Sequence, residues 1–315
     1  MDFGQALSIE VKEKLAGEIR LQNIKVRQFF IFFVLQVMFN GNIYAGEFHN
    51  RAFSYVEIGS ETLTYGEQTS VAGYPLDMSQ SVTNVMQRSG GYTPISEDVG
   101  FYIETASTLN ASPAREEWNI GTFGVVQNNL RKVSWNQLDA LLAWHIQESG
   151  FHVLTGVGLT TLSFTRSDFI KDAGAPAFEA AIAPTVYTAF PGAISEDSTH
   201  VSANIGIRYD SIFVGKDDDS RLQASFIFGV PVYYAVENSQ FPGVRWVEYF
   251  KGYDVSADIG YAYRIYKDFM LSTHAEVLYK TRPETSPVAV VGGQGVVPKS
   301  TALNVRLSAG VSWSF

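Results

Sequence analysis

Nine ionisable residues in the second part of the chain fall on the polar side of alternating segments: Arg208, Asp210, Asp254, Asp258, Arg264, His274, Glu276, Lys280 and Arg306. Side chains two apart share one face of a strand. These charges therefore share a surface with Ser, Asn and Gly, while the intervening rows are apolar. Two chemistries suit such a surface. Opposite charges can neutralise one another in a shut interior, or they can line a path for ions and small solutes. The mixture of signs argues against strong selection of one ion sign. Pairing of neighbouring strands would set Asp258 or Arg264 opposite 272–276, and Glu276 near Arg306.

Hydrolytic chemistry needs a hydroxyl activated by His, with a third group orienting the ring. Of the five His, His49 and His200 read as loop or strand-edge residues, whereas His145, His152 and His274 read as polar-face strand residues. His145 and His152 flank a candidate hairpin. The chain contains no GxSxG, HExxH, phosphate loop or dinucleotide fingerprint, so it reads as a non-enzyme without a cofactor. Asp217, Asp218 and Asp219 could attract a divalent cation. They lack the Gly and closing Glu of a calcium loop and read as a solvated turn, so no metal site is expected.

The elements that must position these residues are strands. In 301–315 the row Leu303, Val305, Leu307, Ala309, Val311, Trp313, Phe315 alternates with Asn304, Arg306, Ser308, Gly310, Ser312, Ser314. Similar period-2 runs cover 99–106, 138–147, 201–213, 222–236, 253–265 and 269–279. The row Leu222, Ala224, Phe226, Phe228, Val230, Val232, Tyr234, Val236 reads as one face, with Pro231 opposite and tolerable at a bulge. Many runs exceed the ~5–6 residues of soluble strands and match the ~9–11 that cross a bilayer at a tilt. No run reaches the ~18 apolar residues of a membrane helix. The chain has 315 residues, 46% hydrophobic, no Cys and a formal charge of −9. The missing Cys removes disulfide and thiolate–metal frameworks. The acidic balance argues against nucleic acid as partner.

The last strand carries a specific likeness. Ser308, Gly310, Trp313 and Phe315 occupy the polar, glycine and two aromatic places of the carboxy-terminal targeting signal of Gram-negative outer-membrane β-barrels, which this segment resembles. The resemblance covers about one strand. It implies recognition by the barrel-assembly machinery and residence in the outer membrane, among its lipid and lipopolysaccharide. The expected fold is all-β, a transmembrane antiparallel barrel of about 12 strands, with 10 as the alternative. Trp118, Trp135, Trp144, Trp246, Trp313 and the sixteen Tyr then read as interfacial girdle residues, with Trp246 also placed for a surface contact.

Connections alternate between short inner turns and long outer loops. Counting back from 315, 282–299, 237–251 and 190–199 come out as outer, 266–268 and 214–220 as inner. Further back the rule strains: 148–150 comes out outer yet short, and 165–175 inner yet long. Residues 67–96 fit poorly. Within them 77–88 reads as a short helix, with Val82, Val85 and Met86 on one stripe, in an insertion over the barrel.

At the amino end Lys25 and Arg27 precede the apolar run 29–39 and a small-residue site at Ala45. This pattern is a secretory signal spanning 25–45. Residues 1–24 read as a leader ahead of the true start, and 46–315 as the barrel domain. The expected function is a narrow pore or channel for small solutes. The alternatives are a structural or surface-interaction barrel with a closed interior, an outer-membrane hydrolase, and a soluble periplasmic lipid carrier.

Overall fold

The computed structural model describes residues 52–146, 149–183, 192–213, 219–290 and 293–314. The signal segment, the leader, His49, Asp217, Asp218 and Phe315 lie outside the described residues. Strand follows strand: β1 (Phe53–Val71), β2 (Tyr74–Pro94), β3 (Val99–Asn110), β4 (Pro113–Ile120), β5 (Val125–His145) and β6 (Phe151–Lys171). A helix, α1 (Ala175–Ile182), precedes β7 (Ile194–Asp210) and β8 (Ser220–Asn238). The chain continues through β9 (Arg245–Glu248), β10 (Tyr253–Tyr266), β11 (Phe269–Arg282), β12 (Val288–Val290), β13 (Gly293–Gly295) and β14 (Lys299–Ser314).

Twelve of these strands form one antiparallel sheet, and β1 pairs with both β2 and β14, so the sheet closes on itself. The ring has ten wall positions, because β3 and β4 both lie between β2 and β5 as successive parts of one wall strand, and β9 is an added edge on β8. Closure removes every unpaired edge that lipid could not satisfy.

Counting the connections on this ring resolves the strained alternation. β7 follows β6 in the wall and α1 lies between them in the chain, so the wall has one strand fewer there. The 146–150 turn joins β5 to β6 at the inner end, in line with its length. The α1 segment is helical because Pro follows Ala175 at its first turn and Ala-rich sequence favours helix. Its Phe178 is fully buried against Leu76, Met78, Ile120 and Val126.

Residues 67–96 are wall, not an insertion. β1 and β2 form a hairpin turning at Ala72–Gly73, with Val71 opposite Tyr74. The stripe expected to be helical divides between faces: Val82 and Met86 point inward and buried, whereas Val85 is exposed. Three apolar residues at i, i+3 and i+4 are thus compatible with period 2, and pairing along both edges decides in favour of the strand.

In β8 the alternation also changes phase. A bulge opposite Val201/Ser202 places Pro231 against Ser202 and Tyr233 against Val201, leaving Val232 over. Leu222, Phe226 and Phe228 face out, but beyond the bulge Tyr234 and Val236 are buried inside, contrary to the single face expected for 222–236.

The outward rows form a belt. Leu303, Val305, Leu307 and Val311 on β14 are exposed, as are Leu271 and Val277 on β11, Ile259, Tyr261 and Tyr263 on β10, Phe226 and Phe228 on β8, and Ile205 and Ile207 on β7. Above the belt the outward face turns polar, with Lys132, Thr165 and Asp77 exposed. Strands of up to 21 residues exceed the span of a bilayer, so the wall continues past the membrane toward the long connections.

Candidate functional site

Inside the ring, alternation brings the polar row of every strand to one axis. Eight of the nine charges expected on the polar rows are buried there; Arg264 instead lies half-buried at the inner rim, 3.9 Å from Asp219. Some of their partners stand on adjacent strands and others come from across the barrel. Asp258 meets Glu276 in register, yet its carboxylate binds Arg88 of β2 at 2.7 Å. Arg208 binds Glu104 of β3 at 2.8 Å and stacks over Tyr102 at 4.2 Å. Glu276 binds Arg306 at 3.0 Å on the neighbouring strand, as expected, and Arg306 also reaches Gln137 at 2.9 Å. Lys280 binds Asp254 at 2.8 Å.

These contacts form stacked layers. At the inner end Asp210 accepts from Arg221 and from Gln223 at 2.9 Å. Next, Glu57 accepts from Ser272 and Ser308 and meets His274 Nδ1, each at 2.6 Å. The Arg88–Asp258 and Arg208–Glu104 pairs follow, then Glu61 with Asn304 at 3.0 Å and Arg306 at 3.7 Å. Above the belt lies a quartet of two Glu and two Arg. Arg131 binds Glu116 at 2.6 Å and Glu67 at 3.3 Å, and Arg166 binds both at 2.8 Å. Asn129 caps the quartet by donating to Glu116 at 3.0 Å.

A ten-strand ring is wider than the eight-strand ring that side chains just fill. Long Arg side chains reach across, and aromatic residues fill between them: Arg131 sits 3.8 Å from the Phe164 ring centre and 4.2 Å from that of Tyr65. Trp135 is fully buried in the same region. The interior holds small cavities, among them one of about 20 Å³ beside His200 and Lys280 and one of about 10 Å³ beside His274 and Arg221, with no lining residue in common.

The residues that complete these pairs, Glu57, Glu61, Glu67, Arg88, Glu104, Glu116, Arg131, Arg166 and Arg221, were not among the candidates. A signal existed for some. Glu57, Glu61 and Glu67 alternate with exposed Val56 and Ile58 in β1, the same pattern that marked the late strands. Arg88 was hidden by the helical reading of 77–88.

His145 and His152 are directly paired on β5 and β6, with ring centres 4.9 Å apart, packed on Phe213. His200 is a buried mid-strand residue against Tyr234, not a loop residue. His274 is oriented by Glu57 as a catalytic His would be, but Ser272 and Ser308 donate to the carboxylate and not to the ring. Its Nε2 has no partner among the described residues and packs on Gly260, where a Cβ would sit 2.2 Å away. The arrangement orients a His without presenting it with a nucleophile.

The aromatic girdle is narrower than expected. Trp144 is exposed on the outer surface and Trp313 lies half-exposed on the outward row of β14. Trp135 is interior, and Trp118 donates to Glu116 at the outer end of the lumen. Trp246 is buried beneath the outer loops, donating to the Gly295 carbonyl at 3.0 Å and packing with Val236 and Val297.

No family model matches the chain, and no curated protein matches it. Among solved structures, the outer membrane protease OmpT from Escherichia coli superposes with a TM-score of 0.65 at 10% identity, over 88% of this chain and 100% of that chain. A FadL homologue from Pseudomonas aeruginosa gives a TM-score of 0.34 at 12% identity, over 84% and 91% of the two chains. OprG from the same organism gives 0.32 at 10%, over 85% and 97%. Identities this low speak to fold alone, and only the first score bears on it. Together with the closed ring, the outward apolar belt and the polar interior, that likeness gives the chain the fold of a transmembrane β-barrel of the outer-membrane kind.

Proposed function

We propose that this barrel has a closed interior and works through its outer end, as a structural or surface-contact protein rather than as an open pore. One observation carries the proposal: successive layers of paired charge cross the lumen from Asp210–Arg221 to the Glu67–Glu116–Arg131–Arg166 quartet, with their side chains buried. A conducting path needs water beside its charges, whereas these charges are held by one another.

The outer end offers a surface for contact. Phe241, Val244 and Trp246 of one loop pack with Val288, Val290 and Val297 of another, and Trp246 donates to the Gly295 carbonyl. Beside them Phe250 is 71% exposed in a left-handed backbone conformation, φ 55°, next to exposed Tyr249. Such a conformation costs a non-glycine residue about 1–3 kcal/mol and clusters at functional positions. It holds an apolar ring outward that folding alone would not require.

The deciding experiment is conductance of the purified, folded protein in a planar bilayer. Silence is the expected outcome. Steady, reproducible steps would overturn the closed reading and restore the pore.

A further inference from the structure

The apolar belt is interrupted on one side. On β1 the outward residues Val56 and Ile58 give way to exposed Ser60 and Thr62, and on β2 the outward row runs through Thr83, Val85, Gln87 and Ser89. Register places this stretch within the belt. Ile58 pairs with Ala309 and Ser60 with Leu307 of β14, at the centre of its lipid-facing row, and Gln87 pairs with Ile58 on one side and Ser107 on the other.

Several hydroxyls there satisfy one another along the surface. Thr62 bonds Thr83 at 3.0 Å, Ser89 bonds Thr105 at 2.8 Å, and Ser107 donates to Asn136. Gln87 is the exception. It is exposed, and among the described residues its amide has no hydrogen-bond partner. Acyl chains supply neither donors nor acceptors, so lipid cannot satisfy that amide.

We propose that the β1–β2–β3 face is a two-fold interface between copies of this chain within the membrane, centred on Gln87. An amide both donates and accepts, so Gln87 is complementary to itself about a two-fold axis, and a two-fold contact must be self-complementary. Ser60 and Ser89 are small, which lets two such faces approach closely. Within the belt, over 54–64 of β1, 79–93 of β2 and 101–109 of β3, the outward rows carry no charged side chain to repel a second copy; Asp77 lies beyond it, toward the outer end of β2.

The native chain contains no Cys, so one introduced thiol reports alone. In the full-length protein assembled in outer membranes, Gln87→Cys is expected to give a disulfide-linked dimer on mild oxidation. Ile205→Cys, exposed on β7 away from this face, is expected to give none. Gln87→Leu is expected to shift the detergent monomer–dimer equilibrium toward monomer by roughly tenfold, while heat-shifted gel mobility shows the barrel still folded. Equal cross-linking at 87 and 205, a native protein that is monomeric in detergent and uncross-linked at 87, or cross-linking at 87 only to a different protein would each overturn the proposal.

Discussion

Glu116 shows at the scale of one residue how the interior is held. Its carboxylate receives Arg131, Arg166 and Asn129, with no exposed surface left. Glu116→Gln would leave two buried guanidiniums sharing Glu67 alone. Removing one partner of a buried ion pair costs about 3–5 kcal/mol. A lower urea midpoint for loss of the folded gel mobility is the expected result, and an unchanged midpoint would mean water already solvates the quartet. Arg306 tests the closed interior in the same way. It spans Glu276, Gln137 and Glu61, so Arg306→Ala both unpairs carboxylates and opens space. Flickering conductance is expected in this variant, against the silence expected of the native protein. A variant as silent as the native barrel would mean that no single layer controls the path. Sequence made Arg306 and Glu276 neighbours legible, because adjacent antiparallel strands constrain each other. The pairs of Asp258 with Arg88 and of Arg208 with Glu104 were not legible, because they depend on how far the ring curves before it closes.

Among the elements, the outer loops are better ordered than their turn-rich composition suggests. β9 extends the sheet from β8, and its Glu248 receives the Ser286 backbone N–H at 2.5 Å and Lys251 at 2.9 Å. Partial burial pushes the Glu248 carboxyl up, but those donors outweigh it and hold the pKa below its ordinary value. A carboxyl depressed in the folded state stabilises at pH above its unfolded pKa, and that contribution is lost as pH falls through the folded value. Proteolysis within 283–298 should therefore accelerate below about pH 4, and in Glu248→Gln it should be fast at neutral pH as well. Identical cleavage rates for the two proteins at neutral pH would show that the Ser286 contact does not restrain the loop. The bulge at Pro231 illustrates the limit of pattern reading within an element. Alternation on either side of it was visible, but the phase change that turns Tyr234 and Val236 inward follows from where β7 pairs.

For the molecule as a whole, closure depends on the β1–β14 seam. Glu57 lies opposite Gly310, and a Cβ on Gly310 would come within 2.0 Å of the Val56 carbonyl. Gly310→Val should therefore impair closure itself, whereas deletion of Phe315, or Phe315→Ser, should slow assembly at the targeting step. Pulse-labelled outer membranes, scored for folded barrel by gel mobility over time, separate the two. Gly310→Val is expected to reach the membrane and remain heat-insensitive in mobility, and the Phe315 variants are expected to accumulate before it. Normal folded levels of both Phe315 variants would count against the targeting role.

Alternating rows, long runs and an aromatic last strand sufficed to indicate an all-β membrane barrel, because side-chain direction in a strand is a local property with period 2. The same local rule placed eight of the nine candidate charges on the inward face. Ten wall positions, the β2 strand in place of a helix and α1 in place of a strand were decided by pairing, since a segment's partners lie far away in sequence. Whether the charged interior is a path or a plug depends on tertiary structure. Opposite charges neutralise one another when closure brings opposite walls within reach of an arginine, and no alternation along a single strand records that distance.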